Sequence, residues 1–305
     1  MHPQQLTERV YLLQGASNVG LVAGEGREAL LIDTGIGRRS GRQIERILQA
    51  QGLRLTAILN THCHGDHTGG NAYLVERSGA TVYAPRYDSV VIEEPIWGTM
   101  FLFGGGEPIE ELRVPRFDSA PCRVDVIVSE GAIEIAGLTV QVVPLPGHTG
   151  THTGYVVDGV FFTGDIVEGD DELENAPLSY TFSVGQRLDS LERLRNYSCS
   201  HFVLGHGGVQ TRIGHLLERN IAQVKHNLEF ITGYLAHTGA EAAEVLSATC
   251  KHHGIAARNV RQYFLMYPTI CSYLSYLHQQ GTVAYEFRDN RLLWHTQGSK
   301  CPCWS

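Results

Sequence analysis

Apolar residues fall into short runs of four to six through the first two hundred positions, and the runs alternate with stretches of helical spacing. Ala29 to Asp33, Thr56 to Asn60, Thr81 to Ala84 and Val124 to Val128 are short, β-rich and bounded by Gly, Pro or polar residues, which predicts strands. Between the first two, Ser40 to Ala50 sets Ile44, Ile47 and Leu48 on one helical face, with Gly52 placed to end the helix. Strand density rises after Ala132, where Asp158-Gly159 predicts a tight two-residue hairpin. Gln186 to Arg195 then reads as helix and His201 to Leu204 as strand.

The pattern changes near Thr211. Arg212 to His237, Ala240 to His253 and Pro268 to Gln280 carry helical periodicity, with Pro268 suited to a first turn. Two short strands, TVAYEF and RLLWHT, follow across Asp289-Asn290. Strands and helices in this order predict an α/β fold, two packed sheets with helices outside, over residues 1–210. Residues 211–305 then form a small helical domain closed by a hairpin, the outline of a winged helix.

Thr61 to Gly70 (THCHGDHTGG) sits directly after a buried strand and holds four ligand-capable side chains within six residues: His62, His64, Asp66 and His67. Imidazoles and carboxylates are the usual ligands of zinc and iron. In an extended segment His62 and His64 point the same way, while Asp66 and His67 lie in the turn beyond and can face a second ion. Three further segments end a strand with a ligand beside glycine: PLPGHTG at His148, FFTGD at Asp165 and LGHGG at His206. An isolated histidine is most often an ordinary surface or hydrogen-bonded residue; four ligands in six positions are not explained that way. His152, four residues after His148, is assigned a surface role, with a place behind the ligands as the alternative, and Cys63 a space-filling one. Cys301 and Cys303, in a terminal KCPCWS, read as a tail.

With LIDTG around Asp33, the HxHxDH of His62 to His67, and His148, Asp165 and His206 in that order, the chain resembles the metallo-β-lactamase-fold superfamily over about its first two thirds. The resemblance implies an αββα sandwich. It places His62, His64 and His148 on one divalent transition-metal ion, Asp66, His67 and His206 on a second, and Asp165 bridging both. Zinc is the first candidate, and iron or manganese suits the same donors. The resemblance also sets Asp33 behind the ligands, orienting their loop. Similar true β-lactamases carry Cys or Ser where this chain has Asp165, which turns attention to thioesterases resembling glyoxalase II, lactonases, sulfur dioxygenases and nucleases. The C-terminal part resembles the winged-helix appendix of a subgroup that includes ribonucleases.

The expected activity is hydrolysis of a small-molecule ester, thioester or lactone by a hydroxide shared between two ions, with Asp66 also orienting the nucleophile. A winged-helix metallo-ribonuclease is the alternative, and an iron-dependent sulfur dioxygenase or redox metalloprotein the third reading. Nucleic acid is not favoured: net charge is −8, and from Ala240 onward six Lys and Arg face four acids. No apolar run spans a membrane and no secretory signal opens the chain, so a cytoplasmic protein is expected. Seven irregularly spaced cysteines agree with reduced thiols. A homo-oligomer is left open. Two segments bear on substrate choice: the acidic stretch Glu168 to Glu174, read equally as a loop repelling polyanions or as solvated surface with no role, and the apolar, glycine-rich insert IWGTMFLFGGGEP, read equally as a lid or as packed core.

Overall fold

The computed structural model describes residues 1–297. One sheet has seven strands in sequence order: β1 (Pro3–Gln5), β2 (Val10–Leu13), β3 (Val19–Ala23), β4 (Glu28–Ile32), β5 (Arg54–Leu59), β6 (Thr81–Pro85) and β7 (Val126–Val128). The other has six, β8 (Gly131–Ile135), β9 (Leu138–Pro144), β10 (Thr153–Val157), β11 (Val160–Gly164), β12 (His201–Leu204) and β13 (Val209–Gln210), again neighbouring in sequence order. Alternation along single strands builds the layers. In β4, Leu30 and Ile32 join Leu12, Val22 and Leu59 against Val140, Val142, Tyr155 and Phe162 of the second sheet. Ala29 and Leu31, pointing the other way, pack on Ile44, Leu48 and Leu74 of helices α1 (Gly37–Gln51) and, beyond a single turn α2 (Gly65–Thr68), α3 (Asn71–Ser78). In β11, Val160 and Phe162 face inward while Phe161 faces outward.

Two helices complete the first sheet's end, α4 (Arg86–Glu93) and α5 (Ile96–Leu102), and a short α6 (Asp170–Asn175) follows β11. On the outer face of the second sheet, Leu191 and Leu194 of α7 (Val184–Leu194) and Leu216 and Leu217 of α8 (Gly214–His237) cover Phe161 and Phe202. The result is the helix–sheet–sheet–helix sandwich expected. The Asp158-Gly159 hairpin also forms, both residues at positive φ (49° and 74°).

After α8 come α9 (Ala242–His252), α10 (Val260–Gln279) and the hairpin β14 (Val283–Arg288) and β15 (Arg291–Thr296), turned at Asp289 and Asn290 with φ of 49° and 61°. One expectation fails here. Helix α10 begins at Val260, eight residues before Pro268, so the proline is internal. Asn259 supplies the start by accepting the Gln262 N–H (3.0 Å), and Met266, Ile270 and Leu274 bury a continuous apolar face. That packing outweighs the one backbone hydrogen bond Pro268 cannot donate. Helix α8 spans two cores: Leu216, Leu217 and Ile221 pack on the second sheet, whereas Val224, Ile231 and Leu235 pack on α9 and α10. No helix among the described residues is long and apolar enough to cross a membrane. Cys301 and Cys303 lie outside the described residues.

Candidate metal centre

β4 and β5 are parallel, and β9, β11 and β12 share a direction, β9 through two antiparallel pairings and β12 through a parallel one. The segments leaving these five strands carry Asp33, the His62–His67 loop, His148, Asp165 and His206 to one edge of the sandwich. There His62, His64, His148 and Asp165 each offer one donor atom within 4.8 Å of the others, as do Asp66, His67 and His206. The two groups meet at Asp165, whose Oδ2 is 3.8 Å from His62 Nε2, 3.6 Å from His148 Nε2 and 3.3 Å from His206 Nε2. Its Oδ1 is 3.3 Å from His67 Nε2. All seven residues named from the sequence are thus brought together.

Hydrogen bonds behind the rings decide which nitrogens face inward. The Thr61 hydroxyl donates to Asp33 Oδ2 (2.7 Å) and so accepts from His62 Nδ1 (2.9 Å), leaving the His62 Nε2 lone pair toward the cluster. His67 Nδ1 donates to Asp33 Oδ2 (2.9 Å) and His206 Nδ1 to Ala16 O (2.7 Å), with the same consequence. Asp33 also accepts the Thr61 N–H (2.9 Å) and sits at φ 60°, a conformation Asp tolerates better than most residues. The inward nitrogens lie 3.1 Å (His62 Nε2 to His64 Nδ1), 3.0 Å (His148 Nε2 to His64 Nδ1) and 3.4 Å (His67 Nε2 to His206 Nε2) apart. Zinc–nitrogen bonds of about 2.0–2.1 Å put tetrahedral vertices about 3.3–3.4 Å apart, so these spacings fit a shared ion.

Electrostatics agree with that fit. Burial drives the His62 and His148 rings well below the ordinary histidine range, as neutral ligands require. Asp165 pulls the other way on His206, pushing it up to about 9 against burial. Burial likewise opposes protonation of His67, but Asp165 and Asp33 together raise it well above the ordinary range. This end of the site therefore demands positive charge. Asp66 Oδ1 is buried with no hydrogen-bond partner, an acceptor left for a cation.

The supporting shell is partly new. His152 is fully buried, not on the surface: its Nε2 accepts the Asp165 N–H (3.1 Å), fixing the backbone that carries the shared carboxylate, and burial lowers the ring to about 3. Its position four residues after His148 is the one sign of this in the sequence. Gly205 permits the approach of Asp165, because a Cβ there would stand 1.8 Å from Asp165 Oδ1. Buried Asp88 ties two ligand loops, accepting from Cys63 N–H (3.0 Å) and the Thr151 hydroxyl (2.6 Å). Cys63 packs against the buried cluster of Val82, Ala84, Ile92 and Cys122, in keeping with a filling role.

Two cavities open on the cluster. One, of ≈410 Å³, lies between the donors and α10, bordered by Val167, Leu265 and Met266; the other, of ≈240 Å³, runs past Tyr87, Val91, Phe101 and Phe182. They share His64, Leu102, Arg116, Phe117 and Tyr180. Sequence reasoning missed Arg116, whose Nη2 is 3.2 Å from Asp66 Oδ2, and Tyr180, whose ring packs edge-on against His64 and His148 (5.4 and 5.7 Å between centroids). The insert forms α5, with Leu102 lining both cavities and exposed Phe101 stacked on Trp97.

The acidic stretch is corrected most. Asp170–Asn175 is helix α6, not a loop, and part of the stretch's charge is engaged. Glu168 pairs with buried Arg187 (3.0 Å), and Asp170 and Glu174 with Arg219. Of the helix's acids only Glu172 borders the larger cavity, beside Glu168, whose carboxylate is met by Arg187.

The metallo-beta-lactamase superfamily model matches residues 12–206, and the chain belongs to that superfamily. It is 25% identical over 313 residues to an atrochrysone carboxyl ACP thioesterase of Passalora fulva, covering 95% of this chain and 82% of the relative. A hydroxyacylglutathione hydrolase of Methylobacillus flagellatus is 29% identical over 199 residues, 64% of this chain and 60% of that one. Among solved structures, a metallo-beta-lactamase family protein from Thermus thermophilus superposes with TM-score 0.74 at 23% identity, covering 96% of this chain and all of its own, which bears out the fold. The chain is accordingly a hydrolase of this superfamily with a His/Asp metal-binding cluster.

Proposed function

We propose that the protein is a dinuclear metal-dependent thioester hydrolase with a small-molecule acyl substrate. The carrying observation is the seven-donor cluster at the meeting point of two apolar-walled cavities. In this reading His62, His64 and His148 hold one ion, Asp66, His67 and His206 the other, and Asp165 contacts both. Zinc is the favoured metal. Bound ions supply an activated water near neutral pH and polarise the substrate carbonyl.

The chain's residues do the rest. Asp66 fixes the water's orientation and is itself held by Arg116, 3.2 Å away. The Asp33–Thr61 pair keeps His62 and His67 in the ligating tautomer, and His152 fixes the Asp165 backbone. A thioester has two substituents, one on each side of its carbonyl. Two cavities joined at His64, Leu102 and Tyr180 accept one each, the smaller against Val91, Phe101 and Phe182.

Similarity supports the thioester over the other esters. The relatives named for acyl-carrier thioesterase activity align with nearly the whole chain, C-terminal helices included, whereas the hydroxyacylglutathione hydrolase aligns with about two thirds. Those helices supply Leu265 and Met266 to the larger cavity. They form the second of two proposed domains, 211–305, a winged-helix-like appendix to 1–210. The test is thiol release from neutral acyl thioesters by zinc-loaded protein, beside a lactone, single-stranded RNA and oxygen uptake with a persulfide. Thioester turnover that disappears in Asp66→Asn supports the reading; RNA cleavage or oxygen uptake without thioester turnover refutes it.

A further inference from the structure

A second group of histidines stands apart from the centre above. His226 on α8 and His252 and His253 at the end of α9 each offer a ring nitrogen, and all three lie within 4.8 Å of one another. We infer that these three side chains bind a further divalent transition-metal ion, of the zinc, nickel or copper kind, at the junction of α8 and α9.

The His226 and His252 Nε2 atoms are 2.8 Å apart. Two such nitrogens either share one proton or face a common cation. The third imidazole favours the cation, because a hydrogen shared by His226 and His252 leaves the lone pair of His253 without a partner among the described residues. Their centroids are 4.9, 5.0 and 5.5 Å apart, and the His253 ring stands steeply across the other two (68° and 69°). The rings are also held from behind, as metal-binding imidazoles are. Buried Asn227 donates its amide to Pro177 O (3.0 Å) and the Tyr273 hydroxyl (3.1 Å), so its Oδ1 must accept from His253 Nε2 (2.6 Å). That fixes the proton on Nε2 and leaves Nδ1 as the nitrogen able to take a metal. His252 stacks on Phe230, one turn beyond His226 on α8, with centroids 4.0 Å apart and planes within 16°. Burial together with its two neighbours lowers His253 to about 4, so a proton competes poorly there. Imidazole donors without carboxylates suit zinc, nickel and copper and do not suit magnesium or calcium. His226 and His252 are exposed, which leaves a coordination position to water.

The placement gives the ion a consequence. Directly after His253 the chain turns at Gly254 (φ 65°), and Ile255 and Ala256 line the ≈410 Å³ cavity beside the seven-donor cluster. An ion joining α8 to the end of α9 would hold that cavity wall in place.

The test uses the untagged full chain, its seven-donor centre first loaded with zinc and dialysed, then titrated with zinc while bound metal is counted. Wild type should take up one ion per chain more than His226→Ala/His252→Ala, and the conservative His252→Gln should weaken that ion by ~10-fold or more. Its melting temperature should rise as the extra ion binds, and that of the double variant should not. Thioester turnover before the titration should be the same in both. Equal uptake by wild type and double variant overturns the proposal, and so does wild type that takes no extra ion. Because the readout is a difference between two chains, it stands whatever the seven-donor centre holds. Circular dichroism of His252→Gln covers the case in which the double variant fails to fold.

Discussion

Asp33→Asn probes the link between the chain's second layer and its metal chemistry. The Asp33 carboxylate accepts three hydrogen bonds, from Thr61 N–H, the Thr61 hydroxyl and His67 Nδ1–H. Asparagine has nearly the same shape and tolerates the positive φ of 60° found here, so the backbone is not the variable. It offers only one acceptor oxygen. With that oxygen toward Thr61 N–H, the new NH2 confronts His67 Nδ1–H and the Thr61 hydroxyl. His67 must then carry its proton on Nε2, facing the cluster, and the hydroxyl turns to donate to His62 Nδ1, which reverses His62 as well. With the amide flipped, two buried N–H groups face each other unpaired. Either way the loss is one charge-assisted hydrogen bond of about 1.5–3 kcal/mol or an orphaned donor costing about 1–3 kcal/mol. Groups that orient metal-binding histidines change metal affinity by about 10–100-fold, an equal magnitude. Zinc retention against a graded chelator, with far-ultraviolet dichroism as a fold check, measures it. The variant should release metal at ten- to hundredfold lower chelator concentration. A folded variant that holds zinc as tightly as wild type would refute the tautomer argument.

Arg187→Met should destabilise the fold by about 3–5 kcal/mol, read in urea denaturation, because Arg187 is 2% exposed and its loss strands Glu168 beside Asn220 and Ser179. In Gly69→Ala a Cβ would stand 2.1 Å from Gly37 N and 2.5 Å from Gly65 O, both backbone atoms, so thermal unfolding should show a loss of about 3 kcal/mol and a displaced His62–His67 loop. Glu172→Gln should raise kcat/KM for an anionic thioester more than for a neutral one at low salt, while Asp170→Asn should not, since only Glu172 of the pair borders the cavity and Asp170 pairs with Arg219.

The sandwich was legible because its central strands are short runs apolar on both faces, as Ala29 to Ile32 illustrate, one face packing on the other sheet and the other on helices. The seven donors were legible because four crowd into the six positions His62 to His67, a spacing chance rarely produces, and His148, Asp165 and His206 each sit at a strand end beside glycine. What escaped depends on distant partners. His152 resembles any surface histidine until Asp165 N–H is found against it. Arg116 comes from the long connection between α5 and β7, which has no periodicity. The charge of the stretch was misjudged because Arg187 and Arg219, which pair with three of its acids, lie on other helices. Pro268 misled because local propensity was weighed without the apolar face that continues on both sides of it.

In the dinuclear reading proposed above, Asp165 is shared between two ions held by the other six residues. Bound metal per chain, counted in zinc-loaded wild type and in Asp165→Ala after identical dialysis, tests it most directly. Close to two ions in wild type and a clear loss in the variant, with thioester turnover abolished, is the outcome the geometry predicts. A folded variant that keeps the wild-type metal content would contradict it.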